Sequence, residues 1–166
     1  MKPILALALA LTTAPAFAQA PAPVAAPTLE QHELMKLIWS TMAAVDQANR
    51  TGNYSVLRDL AAPGFQAVND QAKLTAIFAN LRASGVDLSS TLLLAPTYRV
   101  PPQMVQPGLV RVQGAFGMRP NAISFDLAYQ FSGGQWRLFG IGVSPVAMPT
   151  QQAAPQAAPP PKPKGR

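Results

Sequence analysis

Two carboxylates and one histidine are the residues of this 166-residue chain that raise the question of catalysis. Asp70 follows a short apolar run and precedes a helix-forming stretch, while Asp126 sits inside AISFDLAYQF. Either could act as a lone general base, since proton abstraction needs one carboxylate at hydrogen-bond distance from the substrate. Each also has a plainer role. An Asp at a helix start caps backbone N–H groups. Asp126 alternates with Phe125 and Leu127, which places it on the polar face of a strand where Arg111 or Arg137 could pair with it. A buried Asp126 with a raised pKa is the sharper alternative, and the alternation favours the ion pair.

The single histidine, His32, has neither a second histidine nor a carboxylate arranged with it. One His, no Cys and scattered acids do not make the three or four converging ligands of a metal site. A serine nucleophile would need His32 within reach, and the SGGQ fragment lacks the lysine and helix context of a phosphate loop. No metal and no cofactor are expected. Six aromatics, Trp39, Phe65, Phe78, Phe125, Tyr129 and Trp136, could line a pocket for a small apolar ligand, because such sites are apolar with few polar groups. Packing in a solid core competes with that role.

These residues need elements to position them. Thr28-Leu29-Glu30-Gln31 fits a capping box, and Leu34, Ile38, Met42 and Val45 follow at helical spacing up to Gly52. Polar Lys36, Ser40, Asp46 and Gln47 fall on the other side. A short second helix is predicted in NYSVLRDLAAPGF, with Val56, Leu57 and Leu60 buried and Pro63 its stop. Residues 65 to 68 read as a brief strand. A third helix carries Leu74, Ile77, Phe78 and Leu81 on one face and closes at Gly85. Four β-rich runs then follow: TLLLAPTYRV, LVRVQGAFGM, AISFDLAYQF and QWRLFGIGV. Ser132-Gly133-Gly134 joins the last two as a hairpin. The expected fold is α+β, three helices on one face of a strongly curved antiparallel sheet of four to five strands.

The last run, FSGGQWRLFGIGV, carries apolar residues on both parities: Trp136 and Leu138 on one, Phe139, Ile141 and Val143 on the other. A strand apolar on both faces is covered on both. Helices would cover one side, and a partner subunit in a homodimer, or the tail, the other.

The ends differ from this middle. Residues 1–20, MKPILALALALTTAPAFAQA, have a cationic start, an apolar run and small residues around Ala18 and Ala20, the pattern of a signal peptide cleaved near either position. The apolar run is shorter than the roughly 20 residues a membrane span needs. The chain is expected to be periplasmic or secreted, without a membrane span, and without cysteine it has no disulfide to rely on. Residues 21–28 read as a Pro/Ala linker and 145–166 as a disordered Pro/Ala/Gln-rich tail, too poor in large apolar groups to repay ordering. The domain between them, 29–144, has nine Lys/Arg against seven Asp/Glu. That near-balance argues against nucleic acid, which needs a basic face. The tail cations Lys162, Lys164 and Arg166 could touch an anionic envelope surface or merely keep the chain soluble.

The long first helix, RTGNYSVLRDLAAPGF, the third helix and the closing GGQWRLFGIGV together resemble the nuclear transport factor 2-like (SnoaL/ketosteroid isomerase-like) superfamily. The resemblance spans nearly all of 29–144 and implies a sheet curled into a cone around the helices, with a frequent internal pocket and a homodimer formed through sheets. The superfamily holds isomerases, dehydratases, cyclases and many members without catalysis, so the fold alone assigns no reaction. The steroid-isomerase branch pairs an aspartate base with a tyrosine and a protonated acid. Trp39 and Ser40 stand here where that tyrosine is expected, and the histidine–aspartate pair of the dehydratase branches is missing. The expectation is therefore a non-catalytic exported domain. The alternatives are an isomerase- or dehydratase-type enzyme using Asp70 or Asp126, and an envelope-interaction protein acting through its tail.

Overall fold

Helix α1, Gln31–Thr51, is the spine of the structure, a computed structural model that describes residues 27–147. Its buried stripe is Leu34, Ile38, Thr41, Met42, Val45 and Ala48, the spacing of one helix face. Gly52 ends it in the left-handed region at φ 72°, donating its N–H to the Ala48 carbonyl, a conformation that glycine adopts without strain. The start differs from the expected capping box. Glu30 occupies the N-cap position without a side-chain cap bond, and Thr28 lies outside the helix. Leu29 turns inward against the core instead of continuing the spiral backward.

The helical layer contains five α-helices and one 3₁₀ helix among the described residues, where three helices were expected. Helix α2, Ser55–Asp59, is only one turn long. It buries Leu57 and leaves Val56 and the following Leu60 exposed, because a single turn has room for one inward side chain. Pro63 does not merely stop that helix. It opens α3, Pro63–Val68, where its missing N–H and fixed φ suit the first turn. The brief strand expected at 65–68 is thus helical. The third expected helix is broken at Phe78 into α4, Gln71–Ile77, and α5, Ala79–Ala83. Leu74, Phe78 and Leu81 reach the core across this break, while Ile77 points to solvent. Part of the expected first strand is the 3₁₀ helix Leu88–Leu93, capped by Asp87, whose carboxylate accepts from the Ser89 N–H.

The sheet is a four-strand antiparallel meander: β1 (Thr97–Gln106), β2 (Leu109–Phe116), β3 (Asn121–Ser132) and β4 (Gln135–Ala147), in that order. Helices pack on one face. Val110, Val112 and Phe116 of β2 and Ile123, Phe125, Leu127 and Tyr129 of β3 point into the core that they share with α1. The β3–β4 hairpin turns on Gly133 and Gly134, both at positive φ. Strand β4 continues to Ala147, three residues past the expected end of the domain.

β4 also answers the puzzle of its two apolar parities. Ala128 pairs with Gly140, yet the next residue, Tyr129, pairs with Leu138, so Phe139 is an extra residue. Such a bulge exchanges the faces of everything beyond it. Trp136 and Leu138 before it, and Ile141 and Val143 after it, all pack toward the same core. Residues Gly140, Gly142 and Ser144 line the outer face opposite Ala128, Asp126 and Ser124. Most of the apolar residues of β4 thus share one face, while Phe139 and Val146 stay exposed.

The signal peptide expected at 1–20 and the tail cations Lys162, Lys164 and Arg166 lie outside the described residues. No described helix is long and apolar enough to cross a membrane.

Candidate functional site

Two phenols belong to the inner face of the sheet. Tyr129 is only 1% exposed, and its hydroxyl lies 3.0 Å from Thr41 Oγ1 on α1. Thr41 donates its one proton to the Leu37 carbonyl at 2.8 Å, so the Tyr129 O–H is the donor in the shared bond. Burial pushes the Tyr129 pKa well above its ordinary value, with the bond to Thr41 opposing the shift and the nearby Tyr98 phenol adding to it. Tyr129 is therefore a neutral group whose proton is already committed.

Tyr98 is the opposite case. It stands on β1, paired with Gly114, and its hydroxyl is the one buried side-chain polar atom without a hydrogen-bond partner among the described residues. Desolvation raises its pKa. A Cβ on Gly114 would stand 2.6 Å from the Phe125 ring, so the close packing of Phe125 against β2 requires glycine there. The Tyr98 side chain also helps wall a groove of about 470 Å³ between the start of α1 and β1. Leu29, Gln31 and Leu34 form one side and Tyr98, Val100 and Pro101 the other, a lining mostly apolar. Sequence reasoning did not select Tyr98. No local signal marks it, because the burial of its hydroxyl depends on residues far away in the chain.

A smaller cleft of about 270 Å³ opens between α1, α2 and β4, with Tyr129 and Trp136 in its walls beside Thr41, Leu57 and Arg137. These are two of the six aromatics considered as pocket lining. The other four are spread through the molecule. Phe65 is buried at the start of α3. Phe78 stacks on Tyr54 with ring centroids 5.4 Å apart, and Phe125 lies against Phe116 at 5.4 Å. Trp39, half-buried, donates its indole N–H to the Leu94 carbonyl at 3.1 Å and so ties α1 to the approach to β1. The aromatics do not surround a single hollow.

The candidate bases are engaged. Asp70 is exposed at the N-cap of α4, where it accepts from the Lys73 N–H at 2.7 Å. Asp126 faces outward from β3. Arg111 grips both of its oxygens through Nε and Nη2, and Gln113 donates to it at 2.7 Å. The Arg111 hydrogen bonds, helped by Gln113, hold the Asp126 carboxyl below its usual pKa range despite partial burial. Arg137, the other cation considered for it, pairs across the ladder with Gln130. His32 is exposed in the first turn of α1.

One carboxylate that the helical pattern placed on the surface is buried. Asp46 is 5% exposed and meets Arg50 Nε at 2.9 Å, while Arg50 Nη2 reaches Asp87 at 3.0 Å. The arginine links α1 to the cap of the 3₁₀ helix. Beside it, Arg82 donates to the Tyr54 hydroxyl and Tyr54 to Asn49, each at 2.6 Å. Both chains of contacts join α1 to the segment after it, and every group in them has a protein partner. Among the described residues no cluster of three or more His, Cys, Asp or Glu could hold a metal ion.

Comparison with known proteins yields no matching family model, no matching curated protein and no matching solved structure.

Proposed function

We propose that this chain is an exported, non-catalytic binding domain built as a nuclear transport factor 2-like half-cone. Its ligand is a small, largely apolar molecule with one hydrogen-bonding group at its leading end. The observation that carries this reading is Tyr98, a half-buried residue in the wall of an apolar groove, with a buried hydroxyl that has no partner. An unpaired buried hydroxyl costs about 1–3 kcal/mol, which a ligand recovers by supplying the missing partner. The groove's apolar walls contribute by removing the rest of the ligand from water. The cone form is supported by helices on one face of the sheet and by the β4 bulge, a device that bends strands. Export rests on the leader pattern of residues 1–20.

The non-catalytic reading rests on the two acids. A general base needs a free carboxylate near neutral pKa within reach of a substrate. Asp126 is held ionised by Arg111 on the outer face, and Asp70 is engaged as a helix cap.

Native mass spectrometry of the mature protein, purified gently from periplasm, tests the proposal. A species carrying extra small-molecule mass is expected, and the Tyr98→Phe variant should retain less of it. Equal retention by both proteins would refute Tyr98 as the ligand's partner. A bare wild-type protein that also fails to bind the apolar probe 1-anilinonaphthalene-8-sulfonate (ANS) would refute the binding function.

A further inference from the structure

We infer that the ligand of the groove between α1 and β1 is an organic monoanion, an apolar body bearing a carboxylate that Arg99 binds at the groove's mouth. This rests on the groove being the small-molecule site proposed above, and adds to it the charge of the ligand and the residue that reads that charge.

The make-up of the walls comes first. Besides its apolar residues the lining has Gln31 and Tyr98, which are neutral, and Arg99, its one charged residue. Apolar walls with a single guanidinium suit a ligand of matching make-up, because a carboxylate fits the guanidinium fork. A phosphate monoester carries nearly two negative charges, more than one arginine balances.

The backbone of β1 brings this cation to the groove. Consecutive residues of a strand ordinarily face opposite sides. Tyr98 and Arg99 nevertheless line the same groove. The register supplies the reason. Tyr98 pairs with Gly114 and Val100 with Gln113, the adjacent residue of β2, so Arg99 has no residue opposite it. An extra residue of this kind re-aims its side chain and bends the strand.

Arg99 is also uncommitted. Arg50, Arg58 and Arg111 each hold an aspartate, whereas Arg99 is exposed and makes no ion pair among the described residues. Asp126 is not its partner. Arg111 and Gln113 occupy that carboxylate and do most to lower its pKa, and the charge of Arg99 adds least. Glu30 and Glu33 of α1 are not in the lining, and Glu33 is bonded to Lys36 at 2.8 Å. The guanidinium is left for an anion from outside the protein.

Two polar groups then divide the ligand between them. The Tyr98 hydroxyl is buried and the Arg99 residue exposed. A charge sent to the inner end would have to shed its water, which costs far more than burying a neutral acceptor. An uncharged oxygen such as a ketone therefore meets Tyr98, and the carboxylate stays at the mouth, still partly hydrated.

The test compares 9-oxodecanoate, a carboxylate with a ketone near its far end, with its uncharged counterpart 9-oxodecanamide. Both are titrated calorimetrically into the mature protein. At low salt the carboxylate should bind about fivefold more tightly, the preference expected of a partly exposed ion pair. Added salt should shrink that preference. Arg99→Gln should abolish it, and Arg99→Lys should restore part of it. Arg119→Gln, which removes an exposed cation outside the groove, should leave it intact. Equal binding of the two probes by the wild type overturns the inference. So does a preference that survives Arg99→Gln, or one that falls equally in Arg119→Gln, which would assign it to the general positive charge of the protein. These outcomes leave the groove's binding role standing. If ANS binds and neither probe does, this inference alone is rejected, whereas the failure of all three rejects the proposed function as well.

Discussion

The amide of Ala62 donates a 2.7 Å hydrogen bond to the carbonyl of Leu138, joining the start of α3 to the bulge of β4. Two consequences meet at this bond. The bulge gives Leu138 an acceptor pointing away from the β3 ladder, and α3 gains a fixed anchor at its N-cap. Phe139, the extra residue, packs so closely on α3 that a Cβ on Gly64 would stand 2.9 Å from its ring.

Removing the extra residue should therefore be far worse than trimming it. Deletion of Phe139 forces Trp136 and Leu138 onto the outer face, or the whole of 140–147 onto the wrong one. Phe139→Ala keeps the count of residues and removes a side chain that is already 37% exposed. The expected result in urea unfolding is a cooperative transition for Phe139→Ala and none for the deletion. Equal behaviour of the two would show that register does not matter here.

Tyr98→Phe should leave the free protein as stable as the wild type or more so, by about 1 kcal/mol, because it deletes a buried hydroxyl that has no partner. Tyr129→Phe should do the reverse and cost about 1 kcal/mol, since it removes a bond that Thr41 accepts. Chemical denaturation of the pair decides the matter. A loss of stability in Tyr98→Phe would mean that its hydroxyl is satisfied in solution.

Asp70 is tested by a contrast between two replacements. Asn caps helices about as well as Asp, whereas Ala leaves the Lys73 N–H without its acceptor and costs about 1 kcal/mol. Thermal unfolding should thus separate Asp70→Ala from wild type and leave Asp70→Asn close to it. Binding of ANS should be unchanged in both.

The Asp126–Arg111 pair predicts a pH dependence of definite sign. The folded carboxyl has the lower pKa, so its contribution to stability is fully present above the unfolded value near 4 and fades as pH falls through the folded one. Asp126→Asn should be slightly less stable than wild type at pH 7, with the gap narrowing below about pH 4. High salt should narrow it too, since both side chains are partly exposed. Unfolding curves across pH test this. A gap that widens in acid would contradict the ion pair.

How much of this was legible in the sequence can be argued residue by residue. The 3.6-residue repeat of Leu34, Ile38, Met42 and Val45 and the two-residue repeat from Ile123 to Tyr129 each identify an element, because local geometry alone dictates which side chains share a face. Gly52 and the Gly133–Gly134 turn were readable for the same reason, as positions whose backbone glycine tolerates best. The break at Phe78 and the helical start at Pro63 were not. Short segments have little helical preference of their own and take the form that their packing allows.

The candidate site divides along the same line. That Asp70 caps and Asp126 pairs followed from a helix start and an alternation. Tyr98 and Asp46 were invisible because each depends on what lies across from it. The Tyr98 hydroxyl is buried without a partner only in the folded chain, and Asp46 is buried beside Arg50 at the junction of α1 with the 3₁₀ helix. The two apolar parities of β4 were plain in the residues, and their meaning was not. A single extra residue, held by the Ala62 amide, turns both sets inward, and only the register against β3 reveals it. Sequence by itself determined the elements and their apolar faces, which are properties of a few neighbouring residues. Tertiary structure alone decided which groups meet across the fold, because those contacts join positions far apart in the chain.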